Sequence, residues 1–183
     1  MQTTDTPEQP KVELIKIYSQ ETPAMRFIGR KYGRTDGGFG KQWKEWHAKG
    51  WFKELDIVCK APDFEDGNAP IGLMRHKDGE PFQYWIGKFY AEGMAVPEGF
   101  AHVDFPPSTI GIGWVHGKES VVVVQQPLVA KNLSEIGMHI VNDEHGACWF
   151  FERYVYERSE KPDKDGNVIW DLGFFVKKAE EAK

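Results

Sequence analysis

The chain has 183 residues, 40% of them hydrophobic and 28% charged, with a formal net charge of −5, which fits one compact domain or two small fused modules sharing a core. Its longest apolar runs, Val121 to Val124 and Trp149 to Phe151, fall far short of the roughly 20 residues of a membrane-spanning helix. The 23 Lys and Arg residues are scattered instead of forming a stripe, which argues against phosphate binding and a direct nucleic-acid partner.

Met1 to Pro10 is polar, with neither the basic start nor the apolar stretch of a secretory signal, and reads as a flexible tail, residues 1–10. Two cysteines, Cys59 and Cys148, are too few for the disulfide framework of a small secreted domain. A reducing cytoplasm is the expected location.

Lys11 to Tyr18 alternates apolar and polar residues and Met25 to Tyr32 is similarly short and extended, so both are expected to be strands. Glycines 37, 38 and 40 lead into Gln42 to Leu55, where Trp43, Trp46 and Phe52 recur near helical spacing, interrupted at Gly50. Asp63 to Ala69 is turn-rich. Ile71 to His76 and Phe82 to Tyr90 form a hairpin across Asp78-Gly79. After a Gly- and Pro-containing linker, Ala91 to Gly99, the order repeats: strands at Ala101 to Phe105 and Thr109 to His116, a helix near Pro127 to Ile136, then strands at Cys148 to Glu157 and Val168 to Lys177. The expected fold class is α+β: tandem duplicated strand-helix-strand-strand modules, about 11–95 and 96–180, within one domain spanning 11–183. Antiparallel sheets would surround a central ligand groove at the seam, the largest concavity of the molecule.

Several motifs fail on inspection. Gly40-Lys41 is followed by Gln42 instead of Ser or Thr, so Gly33 to Lys41 is no phosphate loop. Gly111-Ile-Gly113 lacks the third glycine of a dinucleotide fingerprint at the right place and reads as a tightly packed strand. His145 and Cys148 near Asp143 and Glu144 lack the paired spacing of a zinc site, and no G-x-S-x-G elbow occurs. No cofactor and no metal is expected.

Three segments resemble the GyrI-like, or AraC-type effector-binding, family, in particular its stand-alone bacterial members. They are Phe39-Gly-Lys-Gln-Trp-Lys-Glu-Trp46; Tyr84-Trp-Ile-Gly87 through Val96-Pro-Glu-Gly99; and Trp149-Phe-Phe-Glu-Arg-Tyr154 with Pro162-Asp163, Asp165-Gly-Asn-Val168 and Asp171-Leu-Gly-Phe-Phe. The resemblance implies two modules facing a shared groove, with the glutamate of the penultimate strand, here Glu152, in a ligand pocket. It also implies recognition of bulky, often cationic aromatic molecules, as in multidrug-binding regulators. Two alternatives come with it: hydrolysis of cyclopropane-bearing DNA-alkylating compounds, and a protein-binding role towards a regulator or gyrase. A helix-turn-helix before residue 11 is missing, so a lone transcription factor is not expected.

The strand itself points the same way. In an alternating strand Phe150, Glu152 and Tyr154 share one face and Phe151 and Arg153 the other. An acid flanked by aromatics tends to find a cation or to take up a proton; a structural ion pair, or a buried acid hydrogen-bonded within the fold, is the bland alternative. Trp85, by its family position, and Trp46 complete the expected ligand-binding set with Glu152, Tyr154 and Phe150, while Trp43 is assigned to the core and Arg153 and Lys88 to solvent. If Val155 faces Val168, Glu152 lies opposite Asp171, and the two acids form a catalytic pair. A one-residue shift would instead place Leu172 opposite Glu152 and send Asp171 to the other face.

Overall fold

The computed structural model describes residues 10–34 and 37–180; of the expected tail only Pro10 falls within them. The elements are β1 (Glu13–Thr22), β2 (Met25–Tyr32), α1 (Gly40–Lys49), α2 (Trp51–Val58), β3 (Ile71–His76), β4 (Gln83–Ala91), β5 (Ala101–Phe105), β6 (Ser108–Gly117), α3 (Glu119–Val122), α4 (Gln126–Glu135), β7 (Met138–Ile140), β8 (Cys148–Arg153), α5 (Tyr156–Ser159) and β9 (Val168–Lys178). The interrupted helix is two helices, broken where Gly50 adopts the left-handed φ of 68° that glycine accommodates without strain. The strand expected to run from Cys148 to Glu157 stops at Arg153, because the next residues close a helical turn, α5.

All strands join one antiparallel sheet in the order β1-β6-β9-β8-β3-β4-β2-β5, with β7 added beside β9. The order is symmetric about the central β8-β3 pair. The first strand of each half lies on the second strand of the other: β1 on β6 and β5 on β2. The two halves of the chain are thereby interlocked, and β8 and β3 lie side by side at the middle of the sheet.

The helices cover one face in two groups. Trp46 and Leu55 of α1 and α2 pack on Ile28, Met74, Tyr84, Ile86 and Tyr90, while Val122, Val129 and Leu133 of α3 and α4 pack on Val115, Trp170, Leu172 and Phe174. Gly111 and Gly113 let α4 approach: a Cβ at either would lie 2.6 Å from Leu133 or Val129. The opposite face has no helix in its core. There the sheet closes on itself through Phe27, Leu73, Trp85, Phe89, Phe105, Ile112, Phe151 and Phe175, each contributing about 1.5–3 kcal/mol of burial. No helix of the described residues is long and apolar enough to cross a membrane.

Candidate functional site

Glu152 lies on β8 at the centre of the sheet, on the helix-covered face, where the two helical groups meet. Its neighbour Phe150 touches both helical cores. On the adjacent strand β3 its register partner is Gly72, and Tyr84 of β4, opposite Met74, reaches diagonally over that glycine. The Tyr84 hydroxyl donates to Glu152 Oε1 and in turn accepts a hydrogen bond from Trp43 Nε1 at 2.8 Å. A Cβ on Gly72 would stand 2.5 Å from the Tyr84 oxygen and 2.6 Å from Glu152 Oε1. The glycine is thus the space in which the phenol and the carboxyl meet.

Rings close the rest of the site. Phe39 stacks on Tyr84 with centroids 3.8 Å apart and planes 6° from parallel. Trp43 meets Tyr154 at 4.6 Å, and Tyr154 meets Trp170 edge-on at 5.0 Å. Phe150 stacks on Phe174 at 5.8 Å. Glu152 is 5% exposed. Burial pushes its carboxyl pKa up, while the Tyr84 and Tyr154 hydroxyls pull it partly back; no cation contributes. Burial, then the neighbouring Glu152 charge, raises both tyrosines, so they stay protonated donors. The result is a carboxyl held by phenolic hydroxyls in an aromatic shell, with no cation acting on it among the described residues.

Of the residues singled out from sequence, Glu152, Tyr154 and Phe150 come together on this face. Trp85 does not. It faces the opposite side of the sheet, edge-on to Phe27 at 6.3 Å, with its indole N–H on Gln83 Oε1, because Tyr84 takes the face that the helices cover. Trp46 is fully buried among Leu55, Ile28 and Tyr90, and its indole N–H donates to the Tyr32 hydroxyl at 2.9 Å. Trp43, expected in the core, reaches the site instead. Neither Trp43 nor Tyr84 nor Phe39 was assigned to the site from sequence, although the helical three-residue offset of Trp43 from Trp46 offered the first of them.

The carboxylate pair does not form. Glu152 stands opposite Leu172, and Asp171 stands opposite Arg153 on the other face. There Asp171, fully buried, accepts from Arg153 Nε and Nη2 at 3.0 and 2.8 Å and from Arg158 Nη2 at 2.6 Å. Arg158 also holds Asp66 at 2.8 Å and covers the Trp114 ring. Arg153, expected in solvent, is therefore the centre of a buried ion network, and Lys88 is likewise buried, paired with Asp56 at 2.8 Å.

Glu152 lines neither of two concavities on the described surface. One, of about 1120 Å³, lies on the helix-free face over Phe105, Trp149 and Phe175; the other, of about 470 Å³, lies beside Trp51 and Phe100. Phe39 and Trp43 fill the space above the Glu152 cluster. Among the described residues no cluster of His, Cys, Asp and Glu is arranged to hold a metal ion.

No protein-family model and no curated protein matches the sequence. Solved structures do. The chain superposes on SAV2435 bound to tetraphenylphosphonium with a TM-score of 0.57 at 15% identity, covering 89% of this chain and 94% of that one. It superposes on a putative transcription regulation protein from Staphylococcus aureus MU50 with a TM-score of 0.53 at 14% identity, covering 88% and 98%. The third is EcmrR in its complex with DNA, with a TM-score of 0.59 at 12% identity; 90% of this chain is covered, but only 58% of the EcmrR chain. The chain has the GyrI-like fold common to these proteins.

Proposed function

We propose that the chain binds bulky aromatic cations, with Glu152 as their counter-ion and Tyr84, Tyr154, Trp43 and Phe39 as the stacking surface. The observation that carries this reading is a buried carboxyl enclosed by aromatic rings and given no cation by its own fold. Such a group resists ionising alone, and a cation that arrives with its own apolar surface both supplies the missing charge and keeps water out. Aromatic faces add cation-π attraction. SAV2435, which shares the fold, is bound to a cation of this class.

A ligand needs room, and Phe39 and Trp43 now occupy it. Both lie at the start of α1, between Gly37 and Gly38, with φ of 87° and 80°, and Gly50 at the far end. Opening of the first turn of α1 next to Gly37 and Gly38, with Trp46 further along the helix kept in the core, exposes the carboxyl and frees Tyr84 from the Phe39 ring. Binding without turnover is the expected behaviour, since Asp171 stands on the far face of the sheet and the acid pair does not form.

The test is calorimetric titration of the full chain with tetraphenylphosphonium and with neutral triphenylphosphine oxide. Glu152→Gln is expected to weaken the cation by about 1–3 kcal/mol and the neutral compound far less, since only the charge-assisted part is lost. Equal loss for both compounds would show that shape alone governs binding.

A further inference from the structure

The second concavity has features that point to a different ligand. It is about 470 Å³ in volume and is lined by Arg30 of β2, Tyr32, Glu45 of α1, Trp51 of α2, Gly99 and Phe100. The Arg30 guanidinium carbon lies over Trp51, 3.6 Å from the ring centroid, with the Phe100 centroid 5.0 Å away. Gly99 completes the cradle: a Cβ there would lie 3.4 Å from Arg30 Nη2. Stacking fixes the plane of the fork and leaves its N–H edges for an in-plane acceptor.

Among the described residues no such acceptor is bonded to it. Arg26, Arg75, Arg153 and Arg158 each hold a carboxylate, whereas among the described residues none pairs with Arg30, and its buried Nε has no hydrogen-bond partner. The neighbouring Tyr32 hydroxyl accepts from Trp46 Nε1 at 2.9 Å, which leaves its own proton to donate. Lys31 also lines the space but sends its ammonium over Trp85 on the other face. One fixed guanidinium and one phenolic donor therefore face a cavity with aromatic walls.

We propose that this pocket binds a small aromatic carboxylic acid, its carboxylate on the Arg30 fork and its ring against Trp51 and Phe100. A planar carboxylate matches the guanidinium two-for-two. Glu45 in the wall selects against a doubly charged phosphate, because a single arginine cannot offset both the second charge and the repulsion from Glu45. The site is separate from Glu152 and takes the opposite charge, so the chain would answer to an acid and a cation at two places.

The experiment titrates 1-naphthoate into the full chain, following the Gly99 and Phe100 amides and the Trp51 indole by NMR and the affinity by calorimetry. These signals are expected to move saturably, and Arg30→Gln to weaken binding about tenfold or more, as loss of a charge-assisted pair implies. Glu45→Gln, an exposed change that leaves the fold alone, is expected to tighten it severalfold, while Glu152→Gln leaves it unchanged. 1-Naphthalenemethanol, without the charge, is expected to bind far more weakly. Shifts confined to Trp43 and Tyr84, unaltered affinity in Arg30→Gln and Glu45→Gln, or no binding at millimolar concentration would overturn the site. Tighter binding of 1-naphthyl phosphate than of 1-naphthoate would overturn the carboxylate assignment.

Discussion

Tyr84 hydrogen-bonds Glu152 across Gly72, the one position between them where any side chain would collide with both groups. Gly72→Ala is therefore expected to separate the pair or bow β3 away from β4 and β8. Overpacking of this kind costs about 1–3 kcal/mol. Urea denaturation measures it, and tetraphenylphosphonium titration should show a parallel loss of affinity. An unchanged midpoint would mean that the central strands yield freely.

Glu152 sets a pH dependence of unusual sign. Burial raises its carboxyl pKa above the unfolded value, so the folded state holds the proton more tightly and ionisation opposes folding. This contribution is most favourable below the ordinary carboxylate range and is lost as pH rises through that range to the raised folded value. Glu152→Gln removes the dependence. Thermal unfolding should show the variant gaining on the wild type as pH rises from about 4 to about 8, with the difference smallest at the acid end. A variant that loses ground with rising pH would contradict the sign.

The same raised pKa predicts proton release on cation binding. At a pH below the folded value Glu152 is neutral, and an arriving cation favours its ionised form. Calorimetry of tetraphenylphosphonium binding in two buffers of different ionisation enthalpy should give different heats, and Glu152→Gln should abolish the difference. Identical heats for the wild type at mildly acid pH would place the proton elsewhere.

The buried ion network around Asp171, on the face away from Glu152, implies a role in stability. Removing the buried charge that two guanidinium groups share leaves Arg153 and Arg158 facing each other near Tyr18 and Asp66. Asp171→Asn is expected to cost about 3–5 kcal/mol by denaturation while leaving tetraphenylphosphonium affinity within twofold. A large change in affinity at unchanged stability would reverse this assignment.

What could be read from sequence follows what is local. Alternation alone places Phe150, Glu152 and Tyr154 on one side of a strand and Arg153 on the other, and the shifted register that sends Asp171 away from Glu152 was one of two options. Choosing between them required the connection from Tyr154 to Asn167. It contains α5 instead of a plain hairpin, and so its length does not fix the pairing. Tyr84 and Trp85 are equally aromatic neighbours, and which of them faces Glu152 depends on where α1 and α2 settle, a contact between distant parts of the chain. Arg153 reads as a solvent group in the sequence because its partners, Asp171, Asp66 and Tyr18, are brought together only by the sheet.

Trp43 and Trp46 separate the lid from the core. Trp46 is wholly buried and bonded to Tyr32, so Trp46→Ala should destabilise the fold by about 3–5 kcal/mol. Trp43 is half-buried and lies over Tyr84 and Tyr154, so its truncation removes less buried surface. Its removal empties the space above Glu152 that a ligand must otherwise open, so Trp43→Ala should speed tetraphenylphosphonium association severalfold at modest cost in stability. It should also quicken dissociation, because the ring that closes over the bound cation is gone. Stopped-flow fluorescence measures both rates. If the first turn of α1 is a lid, the gain in association exceeds any loss of stability; if Trp43 is only a core residue, association stays the same and the melting temperature falls as far as it does for Trp46→Ala.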